Sequence, residues 1–148
     1  MNLPDKRFSL GVILCVFNED FSKIFLLKRN AEKRARRGLD WGNVGGMLEL
    51  DETVKEGCAR EAKEEIGVIF DPEKIKLLDI NESPCFNPTC HAVWFVCFTT
   101  MDEKEQIVLN SESEEYGWFD LQKLPEKTLD SKEDLIRFRA LAKKVSKA

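Results

Sequence analysis

Hydrophobic and polar positions recur with two different periods along this chain, and the switches between them outline its elements. Residues 8–17, FSLGVILCVF, and 22–29, SKIFLLKR, are β-rich runs separated by Asn18-Glu19-Asp20, which predicts a β-hairpin. In the second run Leu26 and Lys28 share one face, and Leu27 and Arg29 the other. Residues 74–81, KIKLLDIN, read as a strand following the Asp71-Pro72 turn, and residues 91–98, HAVWFVCF, are apolar on both faces, as expected of a strand central to a covered sheet. Residues 106–109 read as a further short strand, and the acidic run from Glu112 leads into a strand that carries Trp118 and Phe119. The stretch between them and the first hairpin, residues 30–40 (NAEKRARRGLD), has no β pattern and reads as a loop.

The second period is helical. Thr53 with Glu56 three residues on forms a capping-box pattern, and Gly67 stands where a C-cap is expected, so a helix should run from Glu52 or Val54 to Ile66. Within it Cys58, Ala62 and Ile66 repeat every fourth residue, while Glu61, Glu64 and Glu65 stack three carboxylates on an adjoining face. Near the end of the chain Ser131 and Asp134 open another helix, in which Leu135, Phe138, Ala142 and Val145 recur at helical spacing. The expected class is α/β: a mixed sheet flanked by one helix on each side, in one domain over residues 1–148, with no internal repeat or linker.

Composition adds bounds. A chain of 148 residues, 43% hydrophobic and 34% charged, has a globular balance and is long enough to bury about two-thirds of its unfolded surface. No apolar run approaches the roughly 18 residues that a membrane span needs. The N-terminal run MNLPDKRFSLGVILCVF alternates like a strand and lacks a small-residue cleavage site, so it reads as mature protein. Five cysteines without a CxxC pair argue for a reducing compartment, with the cytoplasm as the expected location. A net charge of −4 disfavours general affinity for nucleic acid. Cys85, Cys90 and the sole histidine, His91, lie close in sequence, yet they lack the second ligand pair of a four-coordinate zinc site.

The three-glutamate face carries the candidate chemistry. Like charges at i, i+4 cost a bare helix a few tenths of a kcal/mol per pair, and a hard divalent cation bound by carboxylate oxygens turns that repulsion into ligation. Six cations between positions 28 and 37, Lys28, Arg29, Lys33, Arg34, Arg36 and Arg37, precede this face and suit either phosphate oxygens or a solvated loop.

Gly46, five residues, Glu52, seven residues and then Arg60-Glu61-Ala62-Lys63-Glu64-Glu65-Ile66-Gly67-Val68 resembles the box of the Nudix hydrolases, with each fixed position filled. The resemblance covers residues 8–125 loosely and the box tightly. It implies a Nudix-type α/β/α sandwich and hydrolysis of a pyrophosphate bond in a nucleoside diphosphate linked to another group, with Mg²⁺, or alternatively Mn²⁺, as cofactor. By the same resemblance Glu61, Glu64 and Glu65 would ligate metal, with Glu52 supporting the shell and the Gly45 main-chain carbonyl joining it. Arg60 would orient the carboxylates. The proton acceptor would be Glu61 or Glu65 in preference to Glu115 of the later acidic loop, where Glu112 is placed similarly. Arg29 and Arg36 are candidates for substrate phosphate, and Trp41, Asn43, Phe86 and Trp118 for the rest of the substrate. Nucleoside triphosphates, oxidised nucleotides and nucleotide sugars all remain compatible, a homodimer is plausible by resemblance, and the chain departs from the family pattern at Val44, where many Nudix proteins carry proline before the glycine pair. Two other classes share the fold: a non-catalytic nucleotide sensor, and an isoprenyl diphosphate isomerase, which would need a cysteine such as Cys58 or Cys85 facing a glutamate.

Overall fold

The computed structural model describes residues 5–147; Met1 to Pro4, the first part of the N-terminal run, and Ala148 lie outside the described residues. Strand β1 (Arg7–Phe17) turns through Asn18, whose side-chain oxygen accepts from Lys23 N at 2.9 Å, into β2 (Lys23–Arg29), which makes the expected hairpin. Only Val16 and Phe17 pair with Phe25 and Ile24, however, and beyond them the two strands part. The fork is filled by β3 (Trp41–Gly42), bonded to β2, and β4 (Val44–Met47), bonded to β1 through Gly11–Leu14.

Strand β6 (Cys90–Thr100) runs parallel to β1 along all eleven of its residues, and β5 (Lys76–Asn87) closes that edge of the sheet. Strand β7 (Ser113–Asp120) pairs antiparallel with β2, so the sheet holds seven strands, five on a main path β3-β2-β1-β6-β5 with β4 on β1 and β7 on β2 off it. As the sequence suggested, β6 is interior. Strand β5 extends six residues beyond its expected end at Asn81, through a largely exposed edge that carries little apolar alternation.

Period-2 alternation divides the core into two layers. Val12, Leu14, Val16, Phe25 and Leu27 meet Cys58, Ala62 and Ile66 of helix α2 (Val54–Ile66) on one face. Cys15, Phe17, Ile24, Leu26, Val96 and Phe98 meet Leu135, Phe138 and Ala142 of helix α3 (Lys132–Ser146) on the other. Each fully buried Leu, Ile or Phe contributes about 1.5–3 kcal/mol relative to exposure, so the two layers hold both helices firmly against the sheet.

Two expectations are corrected. Residues 31–37 form a short helix, α1 (Ala31–Arg37), capped by Asn30, whose side chain accepts from Lys33 N at 2.9 Å, and ended by Gly38 at φ 66°. It buries no residue, which is why no apolar period betrayed it. Residues 106–109 are not a strand: Val108 N donates to Ile66 O at 2.9 Å, so this segment closes the end of α2 instead of joining the sheet, while Ile107 and Leu109 pack on the core. Among the described residues no helix is long and apolar enough to cross a membrane.

Candidate active site

The start of α2 is fixed by its capping box: Glu56 N donates to Thr53 Oγ1 at 3.1 Å, and Thr53 N donates to Glu56 Oε1 at 3.0 Å. Gly67 at φ 71° ends the helix. With Cys58, Ala62 and Ile66 committed to the core, the 3.6-residue repeat turns Glu61 and Glu65 toward β4, and both are buried; Glu64 remains half exposed.

Arg60 organises the carboxylates. Its Nε and Nη2 donate to the two oxygens of Glu52 at 2.9 and 2.8 Å, a bidentate pair, and Nη2 also donates to the Met47 carbonyl at 2.9 Å. Nη1 donates to Glu61 at 2.9 Å and more weakly to Glu64 at 3.3 Å. Glu52 in turn accepts from Glu49 N at 2.8 Å, so the loop before the helix is tied to the helix itself. The Arg60 hydrogen bonds hold the Glu52 carboxyl below its usual range.

Glu65 reaches the glycine pair: Gly45 N donates to its Oε2 at 3.0 Å. Burial pushes the Glu65 carboxyl up to about 8, with the Gly45 bond opposing the rise and the Glu61 and Glu112 charges adding to it. Burial likewise raises Glu61, against the pull of Arg60. Gly46 is required by this packing, since a Cβ there would press into the Glu61 carboxylate far inside van der Waals contact.

Among the described residues no three metal-binding side chains converge on one point as placed. As the bonds above show, Glu61 and Glu64 turn to Arg60 and Glu65 to Gly45 N. The donor set nonetheless fits a hard divalent cation, because two carboxyls are buried side by side at the expense of their ionisation, and all the available ligands are oxygen.

These groups open on a cleft of about 710 Å³ at the fork between β1 and β2. Gly45, Gly46 and Glu65 form one wall, and Arg29, Lys33, Arg36 and Arg37 another. Helix α1 brings three of those four cations, held in place by Asn30 Nδ2 donating to Ser111 O at 3.0 Å and by Arg34, which bonds the Arg29 carbonyl at 2.6 Å and pairs with Glu114. Arg29 is crowded: burial and the Arg37 and Arg36 charges lower its proton affinity, and its Nη1 is buried with no hydrogen-bond partner. Lys33 lies 3.5 Å from Glu112, which also lines the cleft.

Of the residues expected at the site, Arg29, Arg36, Asn43, Gly45 and Glu65 line the cleft; Glu52, Arg60, Glu61 and Glu64 form the adjoining network. Phe86 lies at the cleft, under the Arg37 guanidinium at 5.2 Å from its ring centroid.

Trp41 and Glu115 are elsewhere, and strand parity explains both. Each pairs with Lys28, which shares its face with Ile24 and Leu26, the α3 side. Trp41 there stacks edge-on against Phe119 with centroids 4.9 Å apart, and Glu115 turns to Lys28 at 3.9 Å. Trp118 packs against Phe25 in the α2 layer. Cys58 is enclosed in that layer and Cys85 sits exposed on β5, so neither faces a cleft glutamate. Lys33, Arg37 and Asp130 also line the cleft; the first two were legible only as members of the basic run, and nothing in the sequence marked Asp130.

Comparison with known proteins places this architecture. The curated ADP-ribose pyrophosphatase of Methanocaldococcus jannaschii is 33% identical over 112 residues, 76% of this chain and 63% of that protein, so the chain spans less than two-thirds of its relative. The NAD-capped RNA hydrolase of Saccharomyces cerevisiae is 28% identical over 123 residues, 80% of this chain but 30% of that protein. Among solved structures a MutT NUDIX hydrolase from Burkholderia pseudomallei superposes with a TM-score of 0.72 at 24% identity, covering 89% of this chain and 98% of that one. The NUDIX domain model matches residues 7–139, nearly the whole described chain, and the protein therefore belongs to the NUDIX family.

Proposed function

We propose that this protein is a Mg²⁺-dependent hydrolase that cleaves the pyrophosphate bond of a nucleoside diphosphate linked to a second group, with ADP-ribose-like compounds as the first class to test. The observation that carries this reading is the pairing, in one cleft, of a crowded cationic wall containing an unpartnered Arg29 nitrogen with the buried Glu65 carboxyl of α2, beside which Glu61 is buried on the same helix. A polyanion that also carries a divalent cation satisfies both walls at once. That the M. jannaschii relative is an ADP-ribose pyrophosphatase supports the choice of substrate class.

Bound Mg²⁺ would supply charge neutralisation of the phosphate oxygens and a lowered pKa for water. Glu61, Glu64 and Glu65 are its proposed ligands, with the Gly45 carbonyl beside them. Arg60 and Glu52 hold those carboxylates in place, since a bidentate arginine fixes orientation as well as charge. Arg29 and Arg36, with Lys33 and Arg37, bind the phosphates and align the anhydride. Glu61 or Glu65 accepts the proton of the attacking water, while Glu112, which lines the cleft, adds a charge that contributes to the raised Glu61 and Glu65 carboxyls. The five free cysteines suit a reducing compartment, and the cytoplasm is the proposed location.

The test is release of products, resolved by chromatography, from ADP-ribose, dinucleoside polyphosphates, nucleotide sugars and nucleoside triphosphates with and without Mg²⁺. The reading predicts Mg²⁺-dependent cleavage between phosphorus atoms. Binding without turnover across that series would instead identify a sensor.

A further inference from the structure

The cleft has a third wall, which the hydrolytic reading leaves unused. Asn43 lies between β3 and β4, and its Nδ2 donates to Asp130 Oδ2 at 2.9 Å. Asp130 ends the segment 127–130, which is laid along β3 by Trp41 N donating to Lys127 O at 3.2 Å and Leu129 N donating to Trp41 O at 2.8 Å. This segment therefore serves to bring a carboxylate against Asn43, and both residues line the cleft.

The bond between them settles the orientation of the amide. An amide oxygen turned toward a carboxylate oxygen would repel it, so the NH₂ faces Asp130 and the Asn43 carbonyl is left over. That oxygen is buried and has no partner, one of two such buried side-chain atoms among the described residues. A lone buried acceptor is destabilising, so its persistence at a cleft marks a place where a donor arrives.

The nature of the donor follows from what surrounds it. Asn43 Oδ1 and the second Asp130 oxygen are acceptors on neighbouring groups, while phosphate would be repelled by Asp130 and drawn to the Arg29 wall. What fits at the Asn43 end is an uncharged group with two hydrogens to give from one centre. Trp94 supplies a planar apolar surface and Leu129 an aliphatic one in the same cleft. Gly42 allows Leu129 to lie close, since a Cβ there would already meet its Cδ1 at 3.2 Å. A planar amino-bearing heterocycle matches this combination of apolar walls and paired acceptors.

We infer that Asn43 and Asp130 form a base-reading subsite that accepts both hydrogens of an exocyclic amino group on a nucleobase and discriminates against bases that lack an amino group at that position. The inference rests on the nucleotide reading above, but it concerns binding and is tested by binding. Adenine, guanine and cytosine each carry such a group, and three matched pairs separate them: ADP against IDP, GDP against IDP, and CDP against UDP.

Calorimetric titration of the full chain with each pair should show one amino-bearing nucleotide binding about tenfold tighter than its partner, the value of one good hydrogen bond lost together with an acceptor left unpaired. Asp130→Asn keeps the shape but offers an NH₂ where a carboxylate oxygen stood, so it should reduce that preference to parity or invert it. Asn43→Leu should abolish it by weakening the amino-bearing member alone, and Arg36→Gln, on the cationic wall, should weaken both members of a pair equally. Melting temperatures of the variants identify any that fail to fold, and Asp130→Asn and Asn43→Leu report on the two acceptors independently. Equal affinities within every pair, a preference that survives both substitutions, or no binding by any of the five nucleotides would overturn the subsite. Loss of hydrolysis with the amino preference intact would overturn the catalytic reading and leave the subsite standing.

Discussion

Arg60 offers a quantitative test of how the glutamate face is held. Its side chain is 21% exposed and that of its bidentate partner Glu52 is 12% exposed, so Arg60→Ala leaves a mostly buried carboxylate without its counter-charge and frees the Met47 carbonyl. Removing one member of a buried pair costs about 3–5 kcal/mol. The remaining access of water to both groups reduces the expectation to about 2–3 kcal/mol. For a chain of this size that corresponds to a fall of roughly 6–9 °C in Tm. Adding Glu52→Gln, which removes the stranded charge, should recover part of the loss, with a coupling energy of about 1–2 kcal/mol. Because Arg60 lowers the Glu52 carboxyl, this contribution is complete above the unfolded carboxylate pKa and disappears as pH falls through the lower folded value. The gap between parent and variant should therefore close in acid. Circular dichroism melts in EDTA at pH 7 and pH 3 measure all of this. A single-variant shift under about 2 °C at pH 7, or strictly additive variants, would refute the clamp.

Three other outcomes follow from the same geometry. Burial pushes the Glu65 carboxyl up to about 8 from an ordinary 4.5, so the penalty for ionising it is absent below the lower value and complete above the higher one. Metal-free Tm should fall as pH rises across that interval, and Mg²⁺ binding at pH 7 should release a proton; calorimetry in buffers of different ionisation heat that detected none would contradict the assignment. Gly45→Ala drives a Cβ into the Val12 carbonyl and should cost about 1–3 kcal/mol of stability, whereas Gly46→Ala displaces the Glu61 carboxylate from Arg60 and should impair turnover with a smaller loss of Tm than Gly45→Ala. Arg29→Gln should raise KM by about tenfold while changing kcat less, given a charged hydrogen bond worth about 1.5–3 kcal/mol; an unchanged KM would remove Arg29 from the phosphate wall.

What the sequence made legible and what it hid differ by physical cause. Helix α2 was readable because its cap residues, Thr53, Glu56 and Gly67, act within one turn of themselves, and its apolar stripe Cys58-Ala62-Ile66 repeats locally. Helix α1 was not, since it is held by polar contacts to residues 111–114, which are distant in sequence. Residues 106–109 looked like a strand because Ile107 and Leu109 do face the core, but their partner is the end of α2. Trp41 and Glu115 were drawn to the site by their chemistry, and the face each occupies is set by pairing with Lys28, a register that no local pattern encodes. Asp130 was invisible for a related reason: its burial depends on residues 127–130 lying along β3.

The most direct test of the account is Mg²⁺-dependent cleavage of the preferred substrate by the parent beside Glu64→Gln and Glu65→Gln. The account predicts a loss of about 100-fold or more in kcat for each variant, with Tm in metal-free buffer unchanged or raised, since Glu64→Gln relieves repulsion on the helix face and Glu65→Gln removes a carboxyl whose ionisation burial opposes. Parental turnover by either purified variant would contradict it.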